Sequence, residues 1–161
     1  MRKYIAPAVL LAVAAVMLTA ATALATAPSG LTSTAIANGT VDDIDIQTKT
    51  GDWKLKIDTK GPSQLAVSEN RVAPGGDFGW HSHPGPSLVI VKSGESTFYS
   101  GDDPTCTGEK HPAGTAYVDP GGRVHIARNE GTVDLVVVVM RIIPNGATPR
   151  IDELNPGNCP F

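Results

Sequence analysis

Apolar residues in this chain occur in short runs, and segments rich in Gly and Pro interrupt them. The cleanest alternation covers residues 53–57, and the longest apolar run, residues 133–143, is dominated by β-branched side chains. Beyond the first 27 residues, no segment keeps a 3.6-residue apolar period over three helical turns. Many short strands with Gly and Pro turns are typical of a β-sandwich or a β-barrel. The sequence therefore predicts an all-β protein with little helix.

Periodicity alone leaves three architectures open: a jelly roll, an immunoglobulin-like sandwich and an up-and-down barrel. It does predict where the strands lie. The predicted strands are residues 41–46, 53–57, 65–73, 87–92, 95–100, 115–118, 124–128 and 133–143.

The first 27 residues have the composition of a secretory signal peptide. Arg2 and Lys3 precede an uncharged run over residues 5–24 that is rich in Ala, Val and Leu, and small residues close the segment at 23–27. A positive start, an apolar middle and a small-residue cleavage site define such a signal. We therefore expect an exported protein that is secreted or lies in the cell envelope.

Two cleavage positions fit this segment, after Ala25 and after Ala27. Ala25 is favoured because Pro28 directly follows Ala27. A retained membrane anchor is the alternative, since the apolar run approaches the ~20 residues that a spanning helix needs. The small polar residues 28–40 are expected to form a flexible lead-in.

The charge of the remaining chain argues against several partners. Without the first 27 residues, 11 basic and 16 acidic residues remain, so the net charge is 11 − 16 = −5. No basic patch is left to follow a phosphate backbone, which excludes nucleic acid as a partner. The run at 133–143 is too short to cross a bilayer, so we expect no stable membrane insertion after cleavage.

The histidines suggest a metal site. The chain has four of them, and His81 and His83 form a His-x-His pair. Along a strand, side chains two residues apart point to the same face, so both imidazoles can approach one point. A metal ion accepts the lone pairs of neutral imidazoles, although an exposed pair at a loop edge is equally compatible with this pattern.

The residues around the histidines resemble two motifs of the cupin family. Gly75 is followed after five residues by His81-x-His83, then after three residues by Ser87 and after six more by Gly94. This resembles the first motif, G-x5-H-x-H-x3-E-x6-G, at every fixed position except the Glu. The second motif, G-x5-P-x-G-x2-H-x3-N, is matched in full by Gly114, Pro120, Gly122, His125 and Asn129.

The resemblance implies a double-stranded β-helix, a small jelly roll of two antiparallel sheets, over about residues 41–143. It also implies one divalent metal ion on His81, His83 and His125. Cupins commonly use the Glu as a fourth ligand, and Ser87 stands at that position here. The remaining coordination positions would then be open to water or substrate, as in catalytic metal sites. His111 matches no motif position and is interpreted as a surface-loop residue.

The ligands do not identify the metal, because imidazole suits several divalent ions, and Zn, Cu, Fe, Mn and Ni all stay open. Two functions stay open as well. One is a small-molecule metalloenzyme resembling the dioxygenases of the family, with Phe78, Trp80 and Tyr99 as candidate pocket residues. The other is a non-catalytic module of the cell envelope that binds a small molecule, a metal or a glycan. A homodimer is compatible with either.

The two cysteines, Cys106 and Cys159, are predicted to form a disulfide, because an even pair in an exported chain is most simply explained that way. A thiol metal ligand or nucleophile is the alternative, but no CxxC spacing or local motif supports it. The disulfide would tether a C-terminal tail over residues 144–161 that would otherwise fray.

Overall fold

The computed structural model describes residues 25–161. The predicted signal peptide falls almost entirely on residues 1–24, outside the described part of the chain. Residues 25–161 contain twelve strands and no helix, which confirms the all-β prediction. None of the described residues form a helix long and apolar enough to cross a membrane. The strands are β1 (Ser29–Val41), β2 (Asp45–Thr50), β3 (Trp53–Asp58), β4 (Ser63–Asp77), β5 (His81–Ser82), β6 (Ser87–Ser93), β7 (Glu95–Ser100), β8 (Glu109–Pro112), β9 (Ala116–Asp119), β10 (His125–Arg128), β11 (Leu135–Pro144) and β12 (Ile151–Asp152).

Ten of the strands form one antiparallel sheet that curls into a small jelly-roll barrel. Its main path runs β12-β5-β10-β4-β11-β6-β9, with β1 paired to β4, β7 paired to β10, and β8 paired to β7. The apolar run predicted at 133–143 becomes β11, which lies between β4 and β6. Its β-branched content suits this central position, where the inward side chains are buried.

The core divides into two clusters of buried side chains. The larger cluster fills the space between the sheets and includes Val72, Val91, Leu135 and Val137. The smaller one lies near the disulfide and comprises Trp80, Tyr99, Ile126 and Cys159. Strand alternation accounts for the larger cluster, because β6 buries every second residue from Ser87 to Val91.

The expected flexible lead-in over residues 28–40 is instead strand β1. It pairs with β4 along nearly its whole length, from Ser29 opposite Asp77 to Val41 opposite Ser63. Most of its side chains are exposed, so backbone hydrogen bonds rather than burial hold it. A strand of this kind has no apolar alternation for sequence reasoning to detect.

Strand β4 is also longer than predicted and continues through Gly75 and Gly76, which we expected to end it. A side chain at Gly76 would place its Cβ 2.6 Å from the Ser29 carbonyl oxygen. The glycine therefore allows β1 to approach β4 closely, rather than terminating the strand.

The strands β2 and β3 form a separate two-stranded sheet. The prediction that the barrel begins at residue 41 therefore assigned this hairpin to the wrong sheet. Its residues are almost all exposed, and they include Ile46, Trp53 and Leu55.

The C-terminal tail is held at two places. Cys106 and Cys159 form the disulfide, with their Cα atoms 5.2 Å apart. Strand β12 pairs with β5, and the Glu153 N–H donates to the Trp80 carbonyl oxygen at 3.0 Å. The tail therefore adds a short strand to the sheet that carries His81.

Reducing the disulfide should destabilise the protein and loosen the end of the tail. The bond closes 53 residues, for which chain entropy predicts a loss of up to about 4 kcal/mol in the free energy of unfolding. Urea unfolding of the oxidised and reduced protein measures this loss. Limited proteolysis of the reduced protein should cut first within residues 154–161, because residues 151–153 keep their backbone bonds to β5 and Trp80.

The double variant Cys106→Ser/Cys159→Ser is the control and should behave like reduced protein under oxidising conditions. An unchanged unfolding midpoint together with an unchanged digestion pattern would contradict this account.

Candidate metal centre

The three histidines of the two motifs meet at one end of the barrel. His81 lies on β5, His83 follows that strand, and His125 begins β10, where it pairs directly with His81. Their ring centroids are 4.3 to 5.2 Å apart. One potential ligand atom from each lies within 4.8 Å of the others, and this is the cluster of metal-ligand type found among residues 25–161.

A tight contact between the two motif turns sets this convergence. Gly121 has a φ of 79°, and a Cβ there would lie 2.5 Å from the Gly85 carbonyl oxygen. The Gly122 N–H donates to the His83 carbonyl oxygen at 2.7 Å. Only glycine fits this approach, so the Pro-Gly-Gly turn before His125 lies directly against the chain that follows His83.

Each imidazole is oriented by a backbone carbonyl. The Nδ1 atoms of His81, His83 and His125 lie 2.8, 2.7 and 3.1 Å from carbonyl oxygens. A carbonyl only accepts, so each Nδ1 must carry the proton and donate it. In the neutral ring this leaves the Nε2 lone pair free. The three partners are Gly79, Pro149 and Arg123, in the order of the histidines.

The rings are strongly desolvated. His81, His83 and His125 are 3 to 4% exposed. Burial lowers the pKa of His81 far below its usual range, and the neighbouring His125 adds to the effect. Burial also lowers the pKa of His83 to about 4, against the opposing hydrogen bond to Pro149. Burial lowers the pKa of His125 as well, with Asp119 acting in the opposite direction. The neutral rings that a metal needs are therefore the favoured forms.

Asp119 is a site residue that the sequence analysis missed. It ends β9 and is 3% exposed. Its Oδ1 accepts the Gly121 N–H at 3.0 Å, while its Oδ2 has no hydrogen-bond partner. That Oδ2 lies 3.9 Å from His83 Nε2 and 3.8 Å from His125 Nε2. The alternation of β9, which turns Tyr117 and Asp119 inward, was the available signal.

The cavity beside these groups has a volume of about 30 Å³. This is enough for an ion with a water or another very small ligand. Of the predicted aromatic pocket residues, Phe78 lines it, whereas Trp80 and Tyr99 belong to the core cluster near the disulfide. The lining residues are Phe78, His81, His83, Ser87, Val89, Phe98, Tyr117, Asp119, His125, Ala127, Val137, Val139 and Arg141.

Two further lining residues were not anticipated. The Phe98 ring stacks on His125 with centroids 5.0 Å apart, which fixes the ring from the side opposite its hydrogen bond. Arg141 follows Val137 and Val139 on the inward face of β11 and brings a positive charge to the cavity. Burial lowers the pKa of its guanidinium, and its Nε has no partner.

His111 lies outside the cluster. It is on strand β8 rather than in the predicted loop, and its ring stacks on Tyr117 with centroids 4.1 Å apart. Its Nε2 lies 3.9 Å from Glu109. This position accounts for the residue without a metal.

The groups present fit a divalent metal ion. Three Nε2 lone pairs converge, and the two buried oxygens beside them, Ser87 Oγ and Asp119 Oδ2, have no hydrogen-bond partner. A buried polar atom without a partner is costly. A cation bound between these atoms would satisfy them together.

Comparison with known proteins agrees with this fold and histidine arrangement. The family model described as "Cupin domain" matches residues 69–141, which include both motifs and all three histidines. The chain belongs to the cupin family.

Solved structures with a similar fold include three that illustrate its range. A conserved protein with a double-stranded β-helix domain from Klebsiella pneumoniae is 26% identical, covers 55% of this chain and 75% of its own, and gives a TM-score of 0.47. A cupin domain from Bordetella pertussis is 25% identical, with coverages of 65% and 98% and a TM-score of 0.43. An oxalate decarboxylase from Lactobacillus farciminis is 19% identical, with coverages of 55% and 26% and a TM-score of 0.47. A search of curated protein sequences found no match.

Acidification should destabilise the metal-free protein. Histidine in an unfolded chain titrates near pH ~6.5, whereas burial holds the pKa of folded His83 at about 4. Between these values the unfolded chain binds protons that the folded chain does not. The stabilisation is therefore complete above pH ~6.5 and is lost as the pH falls towards 4. His83 alone accounts for up to about 3 kcal/mol.

Urea unfolding in the presence of a chelator, at pH 7 and pH 5, measures the effect. The variant His83→Gln cannot titrate at this position and should show a smaller loss between the two pH values. Equal free energies of unfolding of the wild type at both pH values would contradict the assignment.

Proposed function

We propose that this chain is an exported cupin that binds one divalent metal ion through His81, His83 and His125. The observation that carries the proposal is the set of three Nδ1–H···O=C hydrogen bonds, which direct three buried Nε2 lone pairs to one place. Such bonds to the second ring nitrogen are the usual support of metal-binding histidines. Bound there, a metal ion supplies Lewis acidity, and three protein ligands leave positions for a small molecule.

The residues around the site favour a small anionic ligand or substrate. Arg141 faces the cavity with an unpartnered Nε, and a guanidinium binds a carboxylate through such donors. Phe78, Phe98 and Val139 make the rest of the wall apolar, which restricts water and strengthens any interaction with the charge. The chain's own contribution would be to orient the ligand and to exclude water.

Both functional classes stay within this proposal. A dioxygenase-like metalloenzyme uses the open positions for substrate and oxygen, whereas a binding module of the cell envelope only holds its ligand. Metal-dependent oxygen uptake with a panel of small thiols, diols and carboxylates supports the enzyme. A ligand-induced rise in the thermal midpoint without turnover supports the binding module. The metal remains open among Zn, Cu, Fe, Mn and Ni.

Export is supported by the disulfide, since such bonds persist in oxidising compartments. The preferred cleavage after Ala25 also keeps Thr26, whose hydroxyl accepts the Trp80 N–H at 2.6 Å and whose N–H donates to the Glu153 carbonyl oxygen at 3.1 Å. Cleavage after Ala27 would remove these contacts beside β5.

Replacing any one of the three histidines with Ala should abolish stoichiometric metal binding. The loss follows because two imidazoles would remain, with a buried gap in place of the third. Metal content after dialysis and titration calorimetry with Zn(II) measure it. His111→Ala is the matched control and should bind one equivalent, as the wild type does. Full binding by His125→Ala, or loss of binding by His111→Ala, would place the site elsewhere.

We also propose a homodimer formed through the hairpin and the outer face of the barrel. The hairpin exposes Ile46, Trp53 and Leu55, and the adjacent outer sheet face exposes Ile90 and Val118. A groove of about 760 Å³ lies between them. An isolated two-stranded hairpin is only marginally stable, so a covering surface is needed. A second copy supplies both apolar surfaces at once and lets each hairpin cover the partner's sheet.

Sedimentation equilibrium tests this arrangement. Ile90→Lys should convert a wild-type dimer to monomer, because it buries a charge in the proposed interface. Val133→Lys changes an equally exposed apolar residue outside the groove and should leave the dimer intact. A monomeric wild type would overturn the proposal.

A further inference from the structure

Asp119 has an arrangement that its own protein contacts do not explain. The carboxyl group is buried, and one oxygen is fully used by the Gly121 N–H. The other, Oδ2, has no hydrogen-bond partner, although it is almost completely removed from water. A buried carboxylate oxygen left in this state is strongly unfavourable unless a cation or donor reaches it.

The nearest polar atoms are the metal-facing nitrogens. Oδ2 lies 3.9 Å from His83 Nε2 and 3.8 Å from His125 Nε2. These distances are too long for hydrogen bonds. Two donors with bonds of about 2.1 Å to one ion lie roughly 3.0 to 3.4 Å apart, depending on the coordination geometry. A small contraction would therefore bring Oδ2 into the same coordination sphere as both histidines.

Strand register explains how this carboxylate reaches the position. Ser87 and Asp119 are direct partners in the antiparallel pairing of β6 and β9. Directly opposite residues in such a pair place their side chains on the same face, and both line the cavity. The carboxylate that is absent at position 87 is thus present on the neighbouring strand.

We propose that Asp119 is the fourth protein ligand of the metal ion, through Oδ2, in place of a carboxylate at position 87. The inference rests on the proposed three-histidine metal site. The site then presents three neutral nitrogens and one negative oxygen, so a divalent ion would retain one net positive charge. Arg141 on the same cavity adds a second positive charge, which suits an anionic ligand at the remaining position.

Substitution of Asp119 by Asn separates coordination from a structural role. Asn keeps an oxygen that can accept the Gly121 N–H, so the turn before His125 is retained. Its NH₂ group replaces Oδ2 and can donate to an imidazole Nε2, so the metal-free fold should be preserved. Circular dichroism and the thermal midpoint of the metal-free protein check that it is.

Cobalt(II) is the probe, because its visible absorption bands report the number and type of ligands. Asp119→Asn should weaken cobalt binding at least ~10-fold to 100-fold, the range seen when even outer partners of metal ligands are lost. At saturating cobalt, its absorption bands should differ from those of the wild type. Asp134→Asn removes an equal charge from an exposed ion pair with Arg71 and should change neither quantity.

The double variant Ser87→Glu/Asp119→Asn moves the carboxylate to the opposite strand and should regain most of the lost affinity. Weaker binding by Asp119→Asn with unchanged absorption bands at saturation would overturn the proposal, because Asp119 would then act only through its charge. Unchanged affinity would overturn it as well, while the histidine variants would still report on the three-histidine site. A wild type that binds no cobalt would remove both proposals.

Discussion

The burial of three imidazole rings at one end of a small barrel constrains the rest of the structure. Each ring has a lone pair and an N–H that must be satisfied away from water. The three N–H groups are satisfied by carbonyls from three different segments: Gly79 before β5, Arg123 in the second motif and Pro149 in the tail. The site therefore exists only when both motifs and the C-terminal tail are in place.

The tail is part of the site for this reason. Pro149 fixes the orientation of His83, and β12 pairs with the strand that carries His81. The disulfide between Cys106 and Cys159 holds the end of the same segment against the core cluster of Trp80 and Ile126. Such a bond limits the fraying expected of a Pro- and Asn-rich terminus, and this preserves the orientation of a metal-facing ring.

The sequence carried the parts of this arrangement that depend on local spacing. Alternation predicted the strands, and the motif positions of His81, His83 and His125 predicted their convergence. Strand β1 escaped detection because it gains its stability from backbone pairing with β4, which leaves no apolar period. Asp119 escaped because its partnership with Ser87 exists only in the register of β6 and β9. Contacts between distant segments, such as Pro149 with His83, have no signature in the order of residues.

Folding and metal binding are coupled in a site built this way. The metal-free barrel buries three unused lone pairs, the Ser87 hydroxyl and the Asp119 Oδ2, and these unfavourable groups must be offset by the apolar core around Val72 and Leu135. A bound cation removes those penalties without needing new packing, so it stabilises the folded state by its full binding free energy. The core must therefore be strong enough to hold the groups in place before the ion arrives. The pairing of β11 with both β4 and β6 provides this, because β11 carries core side chains at Val137 and Val139 and the cavity residue Arg141 on one continuous face.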